Sequence, residues 1–260
     1  MTGTGPPPGC WITTSTLPPA PRSSSPDRPA RARPPHQAPR RARSRPRFLR
    51  WPAVSRRWPG RAPNGPALLA CLDHAAATGQ HARVTALTAG LAGLLRRDGP
   101  WAEAITRHQA AIEAAQQTGD RLGQANALHD LADVRYLTDD YPAAVQALEQ
   151  ARSIYRDLGD RSSEAMALNE RGTLHRLTGD LAQAEVYHRQ ALDLARAIAS
   201  SWDEAHALAG LGRCALAAGH ATEAKALLRE ALEIFQRIGA AEAPDLRAER
   251  DALTSPPHGQ

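Results

Sequence analysis

Apolar residues recur through residues 67–253 at steps of three and four, the spacing that places side chains on one face of an α-helix. Leu128, Leu131 and Val134 form one such stripe, and Ala144 and Leu148 begin the next. Short polar breaks separate successive stripes. The pattern therefore predicts consecutive amphipathic helices joined by tight turns.

The same pattern returns every 40 residues without a gap, so the chain contains an internal repeat. Clear copies begin at residues 125, 165 and 205, and a weaker copy begins at residue 85. Small or apolar residues recur at fixed columns, which are Ala104, Ala144, Ala184 and Ala224; Ala111, Ala151, Ala191 and Ala231; Leu128, Leu168 and Leu208; and Ala132, Gly172 and Gly212. Small side chains at fixed columns let helix backbones approach closely, so each copy is predicted to be a packed helix pair.

Glycine, aspartate and proline mark the helix ends. Breaks within the pairs fall at 98–100, 138–140, 178–180 and 218–220, and breaks between pairs fall at 119–120, 159–160, 199–200 and 239–240. The prediction is ten helices: one near 66–78, eight in four pairs, and a last one near 243–253 that begins at Pro244.

The columns resemble those of tetratricopeptide repeats. With Ala125 as the first position, the matching residues are Leu128, Leu131, Ala132, Ala144, Leu148 and Ala151, although the period is 40 residues rather than about 34. The longer period also resembles the C-terminal arrays of actinobacterial regulators, in which a SARP-type DNA-binding module or an NB-ARC NTPase module precedes the repeats. The resemblance implies an all-α, right-handed α-solenoid of about four helix pairs with flanking helices, acting in protein–protein interaction or signal sensing. It also implies the C-terminal part, or a truncated relative, of a bacterial transcriptional regulator.

In such arrays the first helix of each pair lines a concave groove that binds a partner. The resemblance carries this role to Asn126, His129, Asp133, Tyr136, Asn169, Thr173, Arg176, His206 and Arg213. Asn126, Asn169, Arg176 and Arg213 are expected to face solvent and to contact a protein or peptide. Paired guanidinium donors favour an acidic segment.

Composition divides the chain at residue 66. Residues 1–66 are rich in proline and arginine and contain a single acidic residue, Asp27, whereas residues 67–260 carry an excess of acidic residues. Such a segment cannot bury enough apolar surface to fold, so residues 1–66 and the tail 254–260 are predicted to be disordered, flanking a solenoid domain at 67–253. Residues 1–66 are open to three interpretations: a solvated linker, a mis-assigned start, or a nucleic-acid contact in which arginines hold phosphates and Phe48, Trp51 and Trp58 stack on bases. The last interpretation is the alternative function, a nucleic-acid-associated adaptor.

The sequence offers little catalytic chemistry. The single lysine, Lys225, lies within a helix pattern, so no phosphate-binding loop is encoded. Glu185 and His188 have the spacing of one half of a di-iron site, but no second copy is present, and His108 and His188 are predicted to be half-buried packing residues. We therefore expect no catalytic residues, metal or cofactor. Scattered cysteines and the lack of a long apolar stretch lead us to expect a cytoplasmic protein with no membrane contact.

Overall fold

The computed structural model describes residues 65–98 and 100–253, which form ten α-helices and no strand. The helices are α1 (Gly65–Ala77), α2 (His81–Asp98), α3 (Trp101–Thr118), α4 (Arg121–Leu137), α5 (Tyr141–Asp157), α6 (Arg161–Leu177), α7 (Leu181–Ala197), α8 (Ser201–Ala217), α9 (Ala221–Arg237) and α10 (Ala243–Ala252). The ten-helix prediction is confirmed. The first helices of the four pairs are α2, α4, α6 and α8, and the second helices are α3, α5, α7 and α9.

Local capping chemistry sets the helix ends. The side chains of Asp120, Asp140, Asp160, Asp180 and Ser200 each accept a hydrogen bond from the backbone N–H three residues later. Helix α9 lacks such a cap, since no side-chain capping bond forms at its N-cap residue, His220. These capping side chains accept hydrogen bonds from N–H groups in the first turn, which have no partner within the helix itself.

The turns between helices need a residue with positive φ. Glycine fills this position in most of the turns, but Asp139 and Ala199 adopt φ values of 59° and 54°. A side chain in this region is strained, least so for aspartate. The tight turns therefore persist in the two breaks where the sequence lacks glycine.

The repeat columns form the centre of the core. All eight alanines of the two columns are at most 1% exposed, and Leu128, Leu168 and Leu208 are at most 4% exposed. Each first helix packs against the second helix of its own pair and against that of the preceding pair, as α8 does against α9 and α7. Helix α10 packs on α9 at the end of the array. This succession of neighbouring contacts is an α-solenoid, as predicted.

Some expectations concern residues outside the described ranges. The predicted disorder of residues 1–66 and 254–260, and the nucleic-acid contact through residues 1–66, fall there except at two positions. Gly65 and Pro66 were predicted to be disordered but begin helix α1. Among the ten described helices, none has both the length and the apolar character that crossing a bilayer requires.

Candidate functional site

A cleft lies between α6 and α8, where two successive first helices face each other above α7. It encloses about 630 Å³, open mouth included. Its lining residues are Met166, Asn169, Glu170, Thr173, Arg176, His188, Trp202, His206, Gly210 and Arg213. Five of the nine residues predicted for the groove, Asn169, Thr173, Arg176, His206 and Arg213, are thereby brought together.

Two arginines give the cleft its positive charge. Arg213 on α8 donates to both carboxylate oxygens of Glu249 on α10, with Nε 2.9 Å from Oε1 and Nη2 2.7 Å from Oε2. Arg176 on α6 is half-buried, and its side chain forms no hydrogen bond or ion pair within the described part of the chain. One guanidinium of the cleft thus already holds a carboxylate, and the other is available for one.

His188 forms the wall of the cleft contributed by α7. Its side chain is wedged between two glycines: a Cβ at Gly172 would lie 2.8 Å from the imidazole ring, and a Cβ at Gly210 would lie closer still. Its Nδ1 is 3.1 Å from Oδ1 of Asn169, so a proton on Nδ1 donates to that oxygen. Burial, and to a smaller extent the charges of Arg176 and Arg213, lowers the pKa of His188 to about 3. The imidazole is therefore neutral.

His206 is held by aromatic contacts. Its ring centroid lies 4.0 Å from that of Trp202 and 4.9 Å from that of Phe235, the latter in an edge-to-face arrangement. Burial, followed by the charge of Arg213, lowers the pKa of His206 to about 3. Both histidines are neutral at physiological pH, so the charged side chains that line the cleft are Arg176, Arg213 and Glu170.

A buried polar cluster lies beside the cleft, between α4 and α6. His129 Nε2 is 2.9 Å from Oε1 of Glu170, and Arg96 Nη1 donates to Oδ2 of Asp133 at 2.9 Å. Burial, and then the negative charge of Glu170, raises the pKa of Asp133 to about 8. The pKa of His129 is raised to about 9, because Glu170, Asp133 and Asp130 together outweigh the opposing effect of burial.

The structure corrects the expectation that the groove residues face solvent. Asn169 is buried, with His188 and the backbone oxygen of Asp203 as partners, and Asn126 accepts a hydrogen bond from the hydroxyl of Tyr155 at 3.0 Å. Arg213 is half-buried against Glu249. Asn126 and Asn169 are therefore expected to support the fold as well as any partner contact. Of the four, only Arg176 lacks a partner within the described ranges.

The remaining predicted groove residues, all on α4, do not line the cleft. His129 and Asp133 belong to the buried cluster and are 3% and 4% exposed. Tyr136 packs at a ring-centroid distance of 5.9 Å from Tyr141. The prediction that these α4 residues line an exposed groove is therefore not supported, because their side chains pack against neighbouring helices.

The sequence interpretation missed several residues of the cleft. His188 was expected to be half-buried but is 1% exposed, because Gly172 and Gly210 leave room for its ring. His108, which lies outside the cleft, was also expected to be half-buried and is 0% exposed. Glu170 and Gly210 share one repeat column with Asp130. The sequence did contain a sign of the buried ring. This column is acidic at Asp130 and Glu170 but is glycine at Gly210, which is the position that contacts the His188 ring.

The sequence profile of the tetratricopeptide repeat matches residues 83–157 and 163–237, which together make up more than half of the chain. The chain belongs to the tetratricopeptide repeat family. The two matched segments each span two helix pairs, so the profile and the structure divide the array at the same turns. No curated protein matches the chain significantly.

Solved structures share this fold at low sequence identity. BtubC from P. vanneervenii superposes with a TM-score of 0.56 at 15% identity, over 77% of this chain and 96% of that chain. A Rap protein in complex with competence and sporulation factor gives a TM-score of 0.59 at 18% identity, over 65% of this chain and 48% of that one. A STAND protein with a tetratricopeptide repeat sensor from Pyrococcus horikoshii gives 0.57 at 17% identity, over 62% of this chain and 25% of that one. The chain thus corresponds to about half of the Rap protein and a quarter of the STAND protein.

Proposed function

We propose that this tetratricopeptide array is a non-enzymatic protein-binding module whose cleft between α6 and α8 takes an acidic segment of a partner protein. The observation that carries the proposal is the pair of arginines in the cleft. Arg213 donates to the carboxylate of Glu249 through two nitrogens, and the guanidinium of Arg176 on the facing helix has no partner among the described residues. Charge-assisted, two-pronged contacts of this kind are among the stronger hydrogen bonds available to a peptide-binding surface.

The rest of the cleft suits an extended peptide. Met166 and Trp202 offer apolar surface, and Thr173 offers a hydroxyl group. Neutral His188 and His206 add no competing charge. A few polar groups that fix orientation within an apolar lining are typical of ligand sites.

Glu249 suggests how the cleft distinguishes its ligand. The α10 carboxylate occupies one guanidinium from within the chain, so a partner carboxylate either binds Arg176 alone or displaces Glu249 from Arg213. Since both ion-pair side chains are about 30% exposed, the internal pair is worth little and can be exchanged. An acidic partner is therefore favoured over a neutral one.

The wider context is a sensing role in a bacterial regulator, in the cytoplasm. Two similar structures support it: one is a Rap protein complexed with a competence and sporulation factor, and one is a STAND protein whose repeats are described as a sensor. The resemblance to the arrays of actinobacterial SARP and NB-ARC regulators points the same way. In this proposal the array binds its partner and reports that event to a regulator.

The test is a selection of peptides from a random display library on the full chain, followed by affinity measurement with the best labelled peptide. Enriched peptides should carry aspartate or glutamate, and Arg176→Ala should weaken binding by about tenfold or more, the loss of one charged hydrogen bond. Glu249→Gln should strengthen binding because it frees Arg213. Arg189→Ala and Arg229→Ala are matched controls, since those exposed arginines lie on the second helices.

Two outcomes would contradict the proposal. One is enrichment of peptides without acidic residues. The other is a loss of affinity in Arg189→Ala or Arg229→Ala with none in Arg176→Ala, which would place the binding surface on the second helices.

A further inference from the structure

The buried cluster between α4 and α6 brings together three side chains that commonly bind metals. His129 and Asp133 lie four residues apart on α4, so one turn of helix places them on the same face. Glu170 comes from α6, in the next repeat. One nitrogen or oxygen atom of each residue lies within 4.8 Å of the other two, and all three side chains are buried.

Hydrogen bonding within the protein leaves ligand atoms of this cluster unused. Asp133 accepts from Arg96 through Oδ2, but within the described ranges its Oδ1 is buried and has no hydrogen-bond partner. His129 approaches Glu170 through Nε2, and its Nδ1 is likewise buried and has no partner among these residues. A buried polar atom without a partner costs free energy, so it is expected to have a ligand in the working state of the protein.

The cluster also combines carboxyl groups with an imidazole. Asp130, Asp133 and Glu170 all lie close enough to His129 to raise its pKa, and Arg96 pairs with Asp133. The Arg96 side chain is 35% exposed, whereas that of Asp133 is 5% exposed, so this guanidinium sits at the edge of the cluster. The interior of the cluster thus offers an imidazole and carboxyl groups, which a divalent ion binds in their deprotonated forms.

We propose that His129, Asp133 and Glu170 together bind one divalent transition-metal ion, with Zn²⁺ as the best fit. An imidazole with two carboxylates suits zinc and related ions, whereas Mg²⁺ and Ca²⁺ prefer oxygen ligands alone. Ligand atoms around zinc lie about 3 to 3.5 Å apart for bond lengths near 2.1 Å, so modest side-chain rotations would close the present separations. Arg96 would remain on Oδ2 of Asp133 and orient that carboxylate.

This site is distinct from the proposed peptide cleft, although Glu170 borders both. Its ligands join two successive repeats, so a bound ion would cross-link α4 to α6. Metal that binds the folded state stabilises it by mass action. A zinc-dependent rise in the thermal midpoint is therefore expected whether or not a peptide binds.

The test uses the tag-free full chain, stripped of metal by a chelator, and isothermal titration calorimetry with Zn²⁺ or, separately, Mg²⁺. One equivalent of Zn²⁺ should bind, and the thermal midpoint of unfolding should rise as Zn²⁺ is added. Mg²⁺ should give neither a comparable binding heat nor a comparable rise in the midpoint. Asp133→Asn and Glu170→Gln keep the side-chain shape and should each weaken Zn²⁺ binding by at least about tenfold. Glu185→Gln is the matched control. Glu185 is an exposed glutamate on α7, a helix that supplies none of the three ligands, so its substitution should leave the affinity for Zn²⁺ unchanged.

A second measurement covers the case in which a variant fails to fold, as judged by circular dichroism. In the wild-type chain labelled with nitrogen-15 histidine, the first equivalent of Zn²⁺ should shift the ring resonances of His129 before those of exposed histidines such as His220. Absence of saturable binding, unchanged affinity in both cluster variants, or an earlier shift at another histidine would each overturn the proposal.

Discussion

The close fit of His188 between two helices leads to a prediction in which one substitution has opposite effects at two sites. A methyl group at Gly210 would lie under 3.0 Å from three atoms of the His188 ring, and that ring is 1% exposed. Gly93, in the middle of α2, has nothing within 4 Å of an added Cβ. Gly210→Ala and Gly93→Ala therefore make the same chemical change with and without a neighbour to displace.

The magnitude follows from two opposing terms. Alanine in place of a helical glycine stabilises by about 0.5–1 kcal/mol, and Gly93→Ala should show this gain alone. Overpacking a well-filled core costs about 1–3 kcal/mol, and here the ring is already in close contact with Gly172 on the other helix. Gly210→Ala should therefore be destabilised by up to about 2 kcal/mol despite its better helix propensity.

The assay is urea unfolding followed by far-ultraviolet circular dichroism, with midpoint and slope both compared because repeat arrays need not unfold in one step. A double-mutant cycle identifies the cause. In a His188→Ala background the ring is gone, so Gly210→Ala should become neutral or stabilising. If Gly210→Ala alone proves as stable as the wild type, or if its cost persists without the ring, then the packing argument for this helix contact is wrong.

Two further predictions concern the ends of a helix and the effect of pH. His220→Asp should stabilise the protein by about 1 kcal/mol, because aspartate caps the equivalent second helices α5 and α7 while α9 lacks a capping bond. An unchanged or lower urea midpoint would contradict this. His188 has its pKa lowered to about 3 in the folded state, against about 6.5 when unfolded. Its contribution to stability is therefore complete above about pH 6.5 and is lost as the pH falls, by up to about 1.4 kcal/mol per unit. In His188→Leu, the residue type that the repeats place at Leu148 and Leu228, the fall in unfolding free energy between pH 7 and pH 5 should be smaller. An identical pH profile would mean that folding does not lower the pKa of His188.

Much of the fold could be predicted from the sequence because its signals are local and repeat. Helix stripes, capping aspartates and turn glycines act within a few residues, and the 40-residue period presents each signal several times. The alanine columns were correctly assigned to helix crossings, and all eight alanines are buried. The resemblance to tetratricopeptide repeats also placed Arg176 and Arg213 on successive first helices, where the structure has them.

The environment of each polar side chain was decided by the tertiary structure. His129, Asn169 and Arg213 share the helical face expected for a groove, yet one joins a buried charge cluster, one bonds to His188, and one pairs with Glu249 of α10. These outcomes depend on the size and charge of residues about 20 to 40 positions away, such as the glycine that admits the His188 ring. The helical face that a residue occupies follows from the geometry of its own backbone, so the periodicity of the sequence is enough to predict it. The neighbours that cover that face depend on how successive repeats pack. That packing brought His129, Asp133 and Glu170 within reach of one ion.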